Sequence, residues 1–322
     1  MSIHSTLNPA IYHGFKQKPP FFEGWYYKLV SADESRKVAI IPGVILGQQG
    51  HAFIQVLEGV SGKVAYHTFP VEQFQAKQDH FRLEIAGNLF DGQRLAVNIQ
   101  RPEGQISGEI RLGPLQPWPV SLLSPGIMGW YAWVPRMECY HGVLSFDHPL
   151  EGSLTLDGEV MDFSGGRGYI EKDWGQSFPA AWVWFQSNHF AGQRACITAS
   201  VAIIPWLGSA FRGFIVGLWI DGKLYRFATY TGARLESLQI FDEHVEWVLR
   251  DQKFRLHLAA KRAKGGLLRG PTRLDMGQRV LETLNASVDV RLETLDGSLI
   301  FAGNGQHAGL EVMGDLPRLL KG

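Results

Sequence analysis

The chain has 322 residues, and 31 Lys and Arg balance 31 Asp and Glu, so its formal net charge is zero. This balance provides no basic surface for nucleic acid or for an anionic membrane, and it excludes nucleic-acid binding as a function class. At about 150 residues per domain, the length favours two domains. An aromatic content of 12% and 37 glycines favour strands joined by tight turns, and therefore an all-β protein.

The N-terminal residues and the apolar stretches indicate in which compartment the protein is expected. The N-terminus has no positively charged region followed by an apolar run and is not Arg-rich, so it predicts neither a secretory signal nor a transit peptide, and we expect a cytoplasmic protein. The longest apolar stretch, 199–211, contains Pro205 and is shorter than the ~18 residues that span a bilayer. Cys139 and Cys196 are far apart, which indicates no disulfide framework.

The first predicted strand, 21–30, is rich in aromatic residues and follows two prolines. Its period of two places Glu23 on one face with Trp25 and Tyr27. Two interpretations of Glu23 stay open: a carboxylate turned inward with the aromatic face, or a strand-end Glu in solvent. Further strands are predicted at 38–46, 51–57, 64–69, 80–85, 94–100 and 105–112.

The middle of the chain begins with an irregular connection, 113–125, which carries four prolines. A second aromatic concentration follows at 128–146, in which Glu138 and Tyr140 fall on one face of the predicted strand, and Cys139 and His141 on the other. We expect no metal and no cofactor here, because the Cys139–His141 pair has no third ligand at a recognisable spacing.

The stretch 168–190 combines ionisable residues with an aromatic strand. Glu171, Lys172 and Asp173 precede a predicted strand at 181–190. One face of that strand carries two indoles and two carboxamides, those of Trp182, Trp184, Gln186 and Asn188. Such a face suits the wall of a cavity, because a buried amide without a hydrogen-bond partner costs a few kcal/mol. A surface ion cluster beside an ordinary strand is the alternative.

The rest of the chain is again predicted to form strands separated by turns. They are predicted at 195–204, 213–221, 224–230, 243–250, 254–260, 287–294 and 298–303, with helices only at 276–284 and 316–321. The basic run 261–273 is interpreted as a solvated loop. We therefore predict an all-β fold of two barrel-like or sandwich-like halves, residues 1–163 and 164–322, joined near 162–167.

Three blocks of the sequence resemble the tocopherol cyclase family, the enzymes that close the chromanol ring of vitamin E. The blocks are Phe-Glu-Gly-Trp-Tyr at 22–26, Met-Gly-Trp at 128–130 running into Glu138, and Glu-Lys-Asp-Trp-Gly at 171–175 followed by the strand of Trp182 and Trp184. The resemblance implies two lipocalin-like antiparallel β-barrel halves. The chain differs from the family pattern at Asp173, where the family has Asn. The missing transit peptide is typical of a bacterial member.

The resemblance implies an intramolecular lyase, a type of isomerase, acting on a prenylated quinol. A prenyl double bond is protonated and the phenol of the same molecule captures the cation. The acid is then Asp173 or Glu171, with Glu23 as a partner from the other barrel, and burial or like-charge proximity must raise the pKa of the acid. The residues expected to contact substrate are Trp25, Trp174, Trp182, Trp184, Gln186, Asn188, Glu138 and His141.

Two alternative functions share most of these features. A lipocalin-like container for an apolar or prenylated ligand would need the same cavity without turnover. A carotenoid or isoprenoid hydratase, also related by resemblance, would use water in place of the internal phenol. In each case the expected partner is a small apolar ligand, reached through a peripheral contact with a membrane.

Overall fold

The computed structural model describes residues 2–321, except for the side chains of Gln278 and Arg279. Strands dominate it, in two large antiparallel sheets with few short helices. The predicted fold class, all-β with two lipocalin-like antiparallel halves, is confirmed. Two compact units are formed, one by Met1–Phe178 with Leu267–Arg279 and the other by Pro179–Gly266 with Val280–Gly322.

The first unit opens with helix α1 (Ile3–Thr6) and carries 3₁₀ segments at Gly14–Lys16, Val71–Gln73 and Gly126–Trp133. Its strands are β1 (Phe21–Val30), β2 (Lys37–Leu46), β3 (His51–Glu58), β4 (Val64–Phe69), β5 (Phe74–Ala76), β6 (Arg82–Ile85), β7 (Asn88–Asp91), β8 (Arg94–Arg101), β9 (Gly104–Leu112), β10 (Cys139–Leu156), β11 (Glu159–Asp162) and β12 (Arg167–Gly175).

The sheet of the first unit has the strand order β4-β3-β2-β1-β12-β10-β9-β8-β7-β6-β5, with β11 paired to β10. Strand β12 thus enters between β1 and β10, and residues remote in sequence become neighbours. The predicted domain boundary after residue 163 separates β12 from the two strands with which it pairs, whereas the unit itself continues to Phe178.

The remaining strands are β13 (Ala181–Ser187), β14 (His189–Phe190), β15 (Ala195–Trp206), β16 (Ser209–Ile220), β17 (Lys223–Ala228), β18 (Arg234–Ile240), β19 (His244–Arg250), β20 (Phe254–Lys261), β21 (Gly266–Pro271), β22 (Met276–Thr294) and β23 (Leu299–Gly314). A 3₁₀ segment lies at Thr229–Thr231, and helix α2 spans Leu316–Lys321. The sheet order is β17-β16-β15-β13-β23-β22-β20-β19-β18. Its apolar core takes Val183 and Phe185 from β13.

One of the two predicted helices is wrong. Residues 276–284 belong to β22, whose Glu282 and Thr283 pair with Glu311 and Leu310 of β23. Pairing with a partner strand distant in sequence overrides the local preference of this segment. The predicted C-terminal helix is confirmed as α2.

Candidate functional site

Strand β12 presents its side chains alternately to two environments. Glu171 and Asp173 point to one face of the sheet, and Lys172 and Trp174 to the other, as the period of a strand requires. The pairing of β12 with β10 brings His141 directly opposite Asp173. Three consecutive ionisable residues are therefore divided between two sites.

The first site is the His141 cluster, which consists of His141, Glu171 and Asp173. His141 Nδ1 lies 2.8 Å from Asp173 Oδ1, and Nε2 lies 3.5 Å from Glu171 Oε2. The imidazole thus bridges two carboxylates. Glu171 is buried, while the side chain of Asp173 keeps 26% of its surface exposed and is the most accessible of the three.

Electrostatics keep the bridging imidazole protonated. Burial alone would lower the pKa of His141, but the carboxylates of Asp173 and Glu171, together with the hydrogen bond to Asp173, raise it to about 9. At neutral pH both ring nitrogens then carry protons, and the proton on Nδ1 is hydrogen-bonded to Asp173. With both carboxylates ionised, the cluster has a net charge of −1 and stores one proton between three groups.

Two neighbours complete the cluster. The hydroxyl of Tyr169, which is fully buried, donates to Glu171 Oε2 at 2.5 Å. Cys139 Sγ lies 3.9 Å from Asp173 Oδ1, and burial, followed by the charge of Asp173, raises the pKa of the Cys139 thiol. Tyr169 and His141 therefore both approach Glu171 through Oε2, while His141 and Cys139 both approach Asp173 through Oδ1.

The three residues also offer donor atoms within 4.8 Å of one another, close enough to consider a metal ion. However, each ring nitrogen lies nearest a different carboxylate, Nδ1 at 2.8 Å from Asp173 and Nε2 at 3.5 Å from Glu171. A protonated imidazole is hydrogen-bonded to Asp173 through Nδ1 and holds its positive charge 3.5 Å from Glu171, while the buried Nε2 has no hydrogen-bond partner among the described residues. We therefore interpret the cluster as a proton store.

The opposite face of the sheet holds a second, closed arrangement around Lys172. Its ammonium lies 2.5 Å from Glu23 Oε1 and donates to the backbone carbonyls of Pro9, at 2.8 Å, and Ile11. Both charged side chains are completely buried. Glu23 also accepts the backbone N–H of His13 at 2.9 and 3.0 Å. This ion pair ties the N-terminal segment to β1 and β12.

The protonation states in this arrangement follow from its hydrogen bonds. His13 Nε2 lies 3.1 Å from the Ser5 carbonyl and donates to it, while Nδ1 lies 2.9 Å from Lys172 Nζ and 3.1 Å from Glu23 Oε1. Burial, and then the charge of Lys172, lower the pKa of His13, so its ring is neutral. Burial lowers the pKa of Lys172 to about 8 although Glu23 opposes this.

Two tryptophans expected to contact substrate belong to this closed side. The Lys172 ammonium lies 4.7 Å from the ring centroids of both Trp25 and Trp174. Trp174 is also stacked on His13 at 4.4 Å and on Tyr140 at 5.4 Å. These ring faces are occupied by protein groups. The structure thus places Glu23, Trp25 and Trp174 away from the His141 cluster, on the opposite face of the sheet.

The face of β13 that the sequence predicts to form a cavity wall lies in the second unit. Trp182 and Trp184 are buried opposite the apolar core, and Trp182 Nε1 donates to Glu311 Oε2 at 2.5 Å. Gln186 is buried beside Cys196 Sγ, at 3.6 Å. Asn188 lies in the break between β13 and β14, with Oδ1 2.9 Å from His189 Nδ1. Whether this face binds a ligand stays a prediction.

Glu138, the remaining expected contact, lies immediately before β10. It accepts a hydrogen bond from Ser177 Oγ at 3.0 Å and lies 4.0 Å from Arg273. Sequence reasoning did not single out Tyr169, His13 or Glu311. The only local signal was for Tyr169, which is two residues before Glu171 and therefore on its face.

Comparison with known proteins identifies the chain by family. The fold is an all-β arrangement of two large antiparallel sheets, and its first unit carries the carboxylate–imidazole cluster. The family model described as Tocopherol cyclase-like matches residues 85–314, so the chain belongs to the tocopherol cyclase-like family. The match includes His141, Glu171 and Asp173.

Sequence similarity to individual relatives covers a shorter stretch of the chain. Over 108 residues the chain is 32% identical to a probable chloroplastic tocopherol cyclase of Oryza sativa subsp. japonica and 30% identical to the chloroplastic tocopherol cyclase of Zea mays. Those residues are 32% of this chain, and the chain spans only 23% of the length of each relative.

Solved structures share the fold over nearly the whole chain. The crystal structure of CghA superposes with a TM-score of 0.60 at 14% identity, over 93% of this chain and 90% of that one. Kievitone hydratase from Nectria haematococca superposes with a TM-score of 0.52 at 11% identity, over 94% of both chains. Within residues 2–321, no helix has the length and apolarity needed to cross a membrane.

Proposed function

We propose that this protein closes a chromanol-type ring on a prenylated quinol by proton transfer from the His141 cluster. One observation carries the proposal: an imidazole held between two carboxylates, one of them partly exposed, which stores a proton beside an accessible acid. Membership of the tocopherol cyclase-like family supports the substrate class.

The stored proton can reach Asp173 without any external acid. A shift from His141 Nδ1 along the 2.8 Å hydrogen bond makes Asp173 a neutral carboxylic acid and leaves His141 neutral, with its remaining proton on Nε2, 3.5 Å from Glu171. Tyr169 continues to donate to Glu171, which favours the ionised form of that carboxyl. We therefore assign Asp173 as the proton donor and Glu171 as the group that orients His141.

The reaction then balances in protons. Asp173 delivers its proton to the less substituted carbon of a prenyl double bond, which generates a tertiary cation. The phenol oxygen of the same molecule attacks this cation and forms the new C–O bond. The released phenol proton returns to the cluster, so the product is an isomer of the substrate. During the cationic step both carboxylates are ionised, and their negative charge stabilises the cation.

The direct test is turnover of a prenylated quinol, such as a tocopherol precursor, measured as chromanol formation by mass-resolved chromatography. Asp173→Asn should reduce the rate by roughly 10²- to 10⁴-fold, the usual contribution of general acid catalysis, with ligand affinity nearly unchanged. Asp147→Asn is the matched control, because Asp147 pairs with Arg167 at 2.8 Å between the same two strands but outside the cluster. It should retain full activity.

The other outcomes separate the alternatives. Full activity of Asp173→Asn with loss in Glu171→Gln would make Glu171 the donor. A product heavier by one water would identify a hydratase that uses the same acid. Tight binding with no turnover, unchanged by either substitution, would establish the container function.

A further inference from the structure

An exposed apolar loop in the first unit belongs neither to the His141 cluster nor to the arrangement around Lys172. Residues 120–133, the 120–133 loop, connect β9 to β10 and contain five large hydrophobic side chains open to solvent: Val120, Leu122, Leu123, Trp130 and Trp133. Leu123 is 85% exposed. Apolar side chains clustered on one surface segment, instead of scattered singly, mark an interaction surface.

The tip of this loop is a tight hairpin with leucines where polar residues are usual. Ser121 and Ser124 exchange backbone hydrogen bonds of 3.1 and 3.2 Å, and Val120 forms a bridge with Pro125. The two central residues are Leu122 and Leu123. Gly, Asn, Asp and Ser predominate at such positions because they suit the turn, so the turn itself gives no reason for two leucines.

The loop is held in place from beneath. Ile127, Met128 and Ala132 are buried. Trp133 Nε1 donates to the carbonyl of Leu122 at 2.9 Å, and this hydrogen bond fixes the tip to the following segment. Because the loop is braced, the leucines are displayed outward at little further cost in conformational entropy on binding.

Charge and shape together indicate the partner. From residue 113 to 137 the sequence has no Asp or Glu and only one charged residue, Arg136. Trp130 is stacked on Tyr131 at 4.1 Å, and Trp133 donates to the carbonyl of Leu122, so the loop that carries the two leucines also carries amphipathic rings. A segment that combines leucines with Trp and Tyr and lacks carboxylates has the composition of segments that lie at the boundary of headgroups and acyl chains.

We propose that the 120–133 loop inserts into the surface of a lipid bilayer. A protruding tip of a few side chains suits this partner better than a second copy of the chain, since a stable dimer buries roughly 800 Å² on each partner. The zero net charge and the single Arg136 indicate that insertion depends on apolar contact and not on anionic lipid. This proposal does not rest on the proposed reaction.

The test is flotation of the full-length protein with phosphatidylcholine vesicles and with vesicles that also contain phosphatidylglycerol. The wild type should float with both to a similar extent. Leu123→Ser should lower the partition coefficient about tenfold, as expected for removal of one leucine from the apolar phase. Leu207→Ser is the matched control, because Leu207 is 93% exposed at the turn between β15 and β16. It should bind like the wild type.

A second measurement follows the loop directly. Brominated lipids should quench part of the tryptophan fluorescence, and Trp130→Phe should remove part of that quenching. The proposal is overturned if the wild type does not float, if Leu207→Ser weakens flotation as much as Leu123→Ser does, or if only anionic vesicles bind. Concentration-dependent dimerisation that Leu123→Ser abolishes, without flotation, would also overturn it and assign the loop to self-association.

Discussion

Glu23→Gln should destabilise the protein in a way that depends on pH, because it removes the partner of a buried ammonium. Lys172 Nζ lies 2.5 Å from Glu23 Oε1, and neither side chain is exposed. The glutamine oxygen can still accept the backbone N–H of His13, so the substitution removes mainly the negative charge. The pKa of Lys172, already lowered to about 8, should then fall further.

The magnitude follows from the proton balance of Lys172. Its pKa is lower in the folded protein than the ordinary 10.5, so the unfolded chain holds the extra proton between pH 8 and 10.5, and wild-type stability rises with pH across that window. In the variant, Lys172 can lose its proton, which limits the added cost at pH 7 to on the order of 1 kcal/mol. Below pH 7 the cost should grow by up to about 1.4 kcal/mol for each pH unit.

Urea unfolding of wild type and variant at neutral pH and one unit lower would measure this. Asp147→Asn is the control, because Arg167 cannot release its proton and the loss should be the same at both pH values. An equal loss for Glu23→Gln at both pH values would refute the reasoning. Since Glu23 faces away from the His141 cluster, folded Glu23→Gln should also keep its turnover. A hundredfold loss of turnover in the folded variant would return Glu23 to the catalytic residues.

Two further predictions concern the His141 cluster, and a third concerns the face of β13 in the second unit. Turnover should fall as pH rises through about 9, measured as a pH–rate profile, since His141 then loses the stored proton; a flat profile would contradict the proton store. The raised pKa of His141 stabilises the fold by about 3 kcal/mol below pH 6.5, and this contribution is lost as pH rises through about 9. The free energy of unfolding of His141→Gln should therefore depend less on pH between 6.5 and 9 than that of the wild type. Indole fluorescence should shift when a prenylated quinol binds near Trp182 and Trp184, and Trp184→Phe should reduce the shift if that face is the ligand site.

The sequence predicted those features that depend on local periodicity. The bounds of β1 were predicted to the residue, and the period of two placed Glu171 and Asp173 together on one face. The same period placed Cys139 and His141 together, and both lie near Asp173. These relations need only the strand geometry of one short segment, which the aromatic density and the flanking turns define well.

Relations between distant strands could not be predicted in this way. Lys172 meets Glu23 only because β12 pairs antiparallel with β1, and no local signal specifies that register. Nor does the sequence show which face of β12 the N-terminal segment covers, so Glu23 was expected beside Glu171 and Asp173, whereas it lies beside Lys172. The hydrogen bond from Trp182 to Glu311 likewise depends on pairing between β13 and β23.

The division of Glu171, Lys172 and Asp173 between two faces has a chemical consequence. If Lys172 shared the face of the two carboxylates, its ammonium would neutralise one of them and remove the net negative charge that favours a cation. The alternation of β12 instead directs Lys172 into a closed arrangement with Glu23, where its charge is satisfied by protein groups. His141 is then the cation that contacts both Glu171 and Asp173, and unlike an ammonium bound in a closed arrangement, an imidazolium can pass its proton to Asp173. A single strand thereby holds the N-terminal segment through one face and contributes Glu171 and Asp173 to the His141 cluster on the other, where we propose that the transferred proton is held.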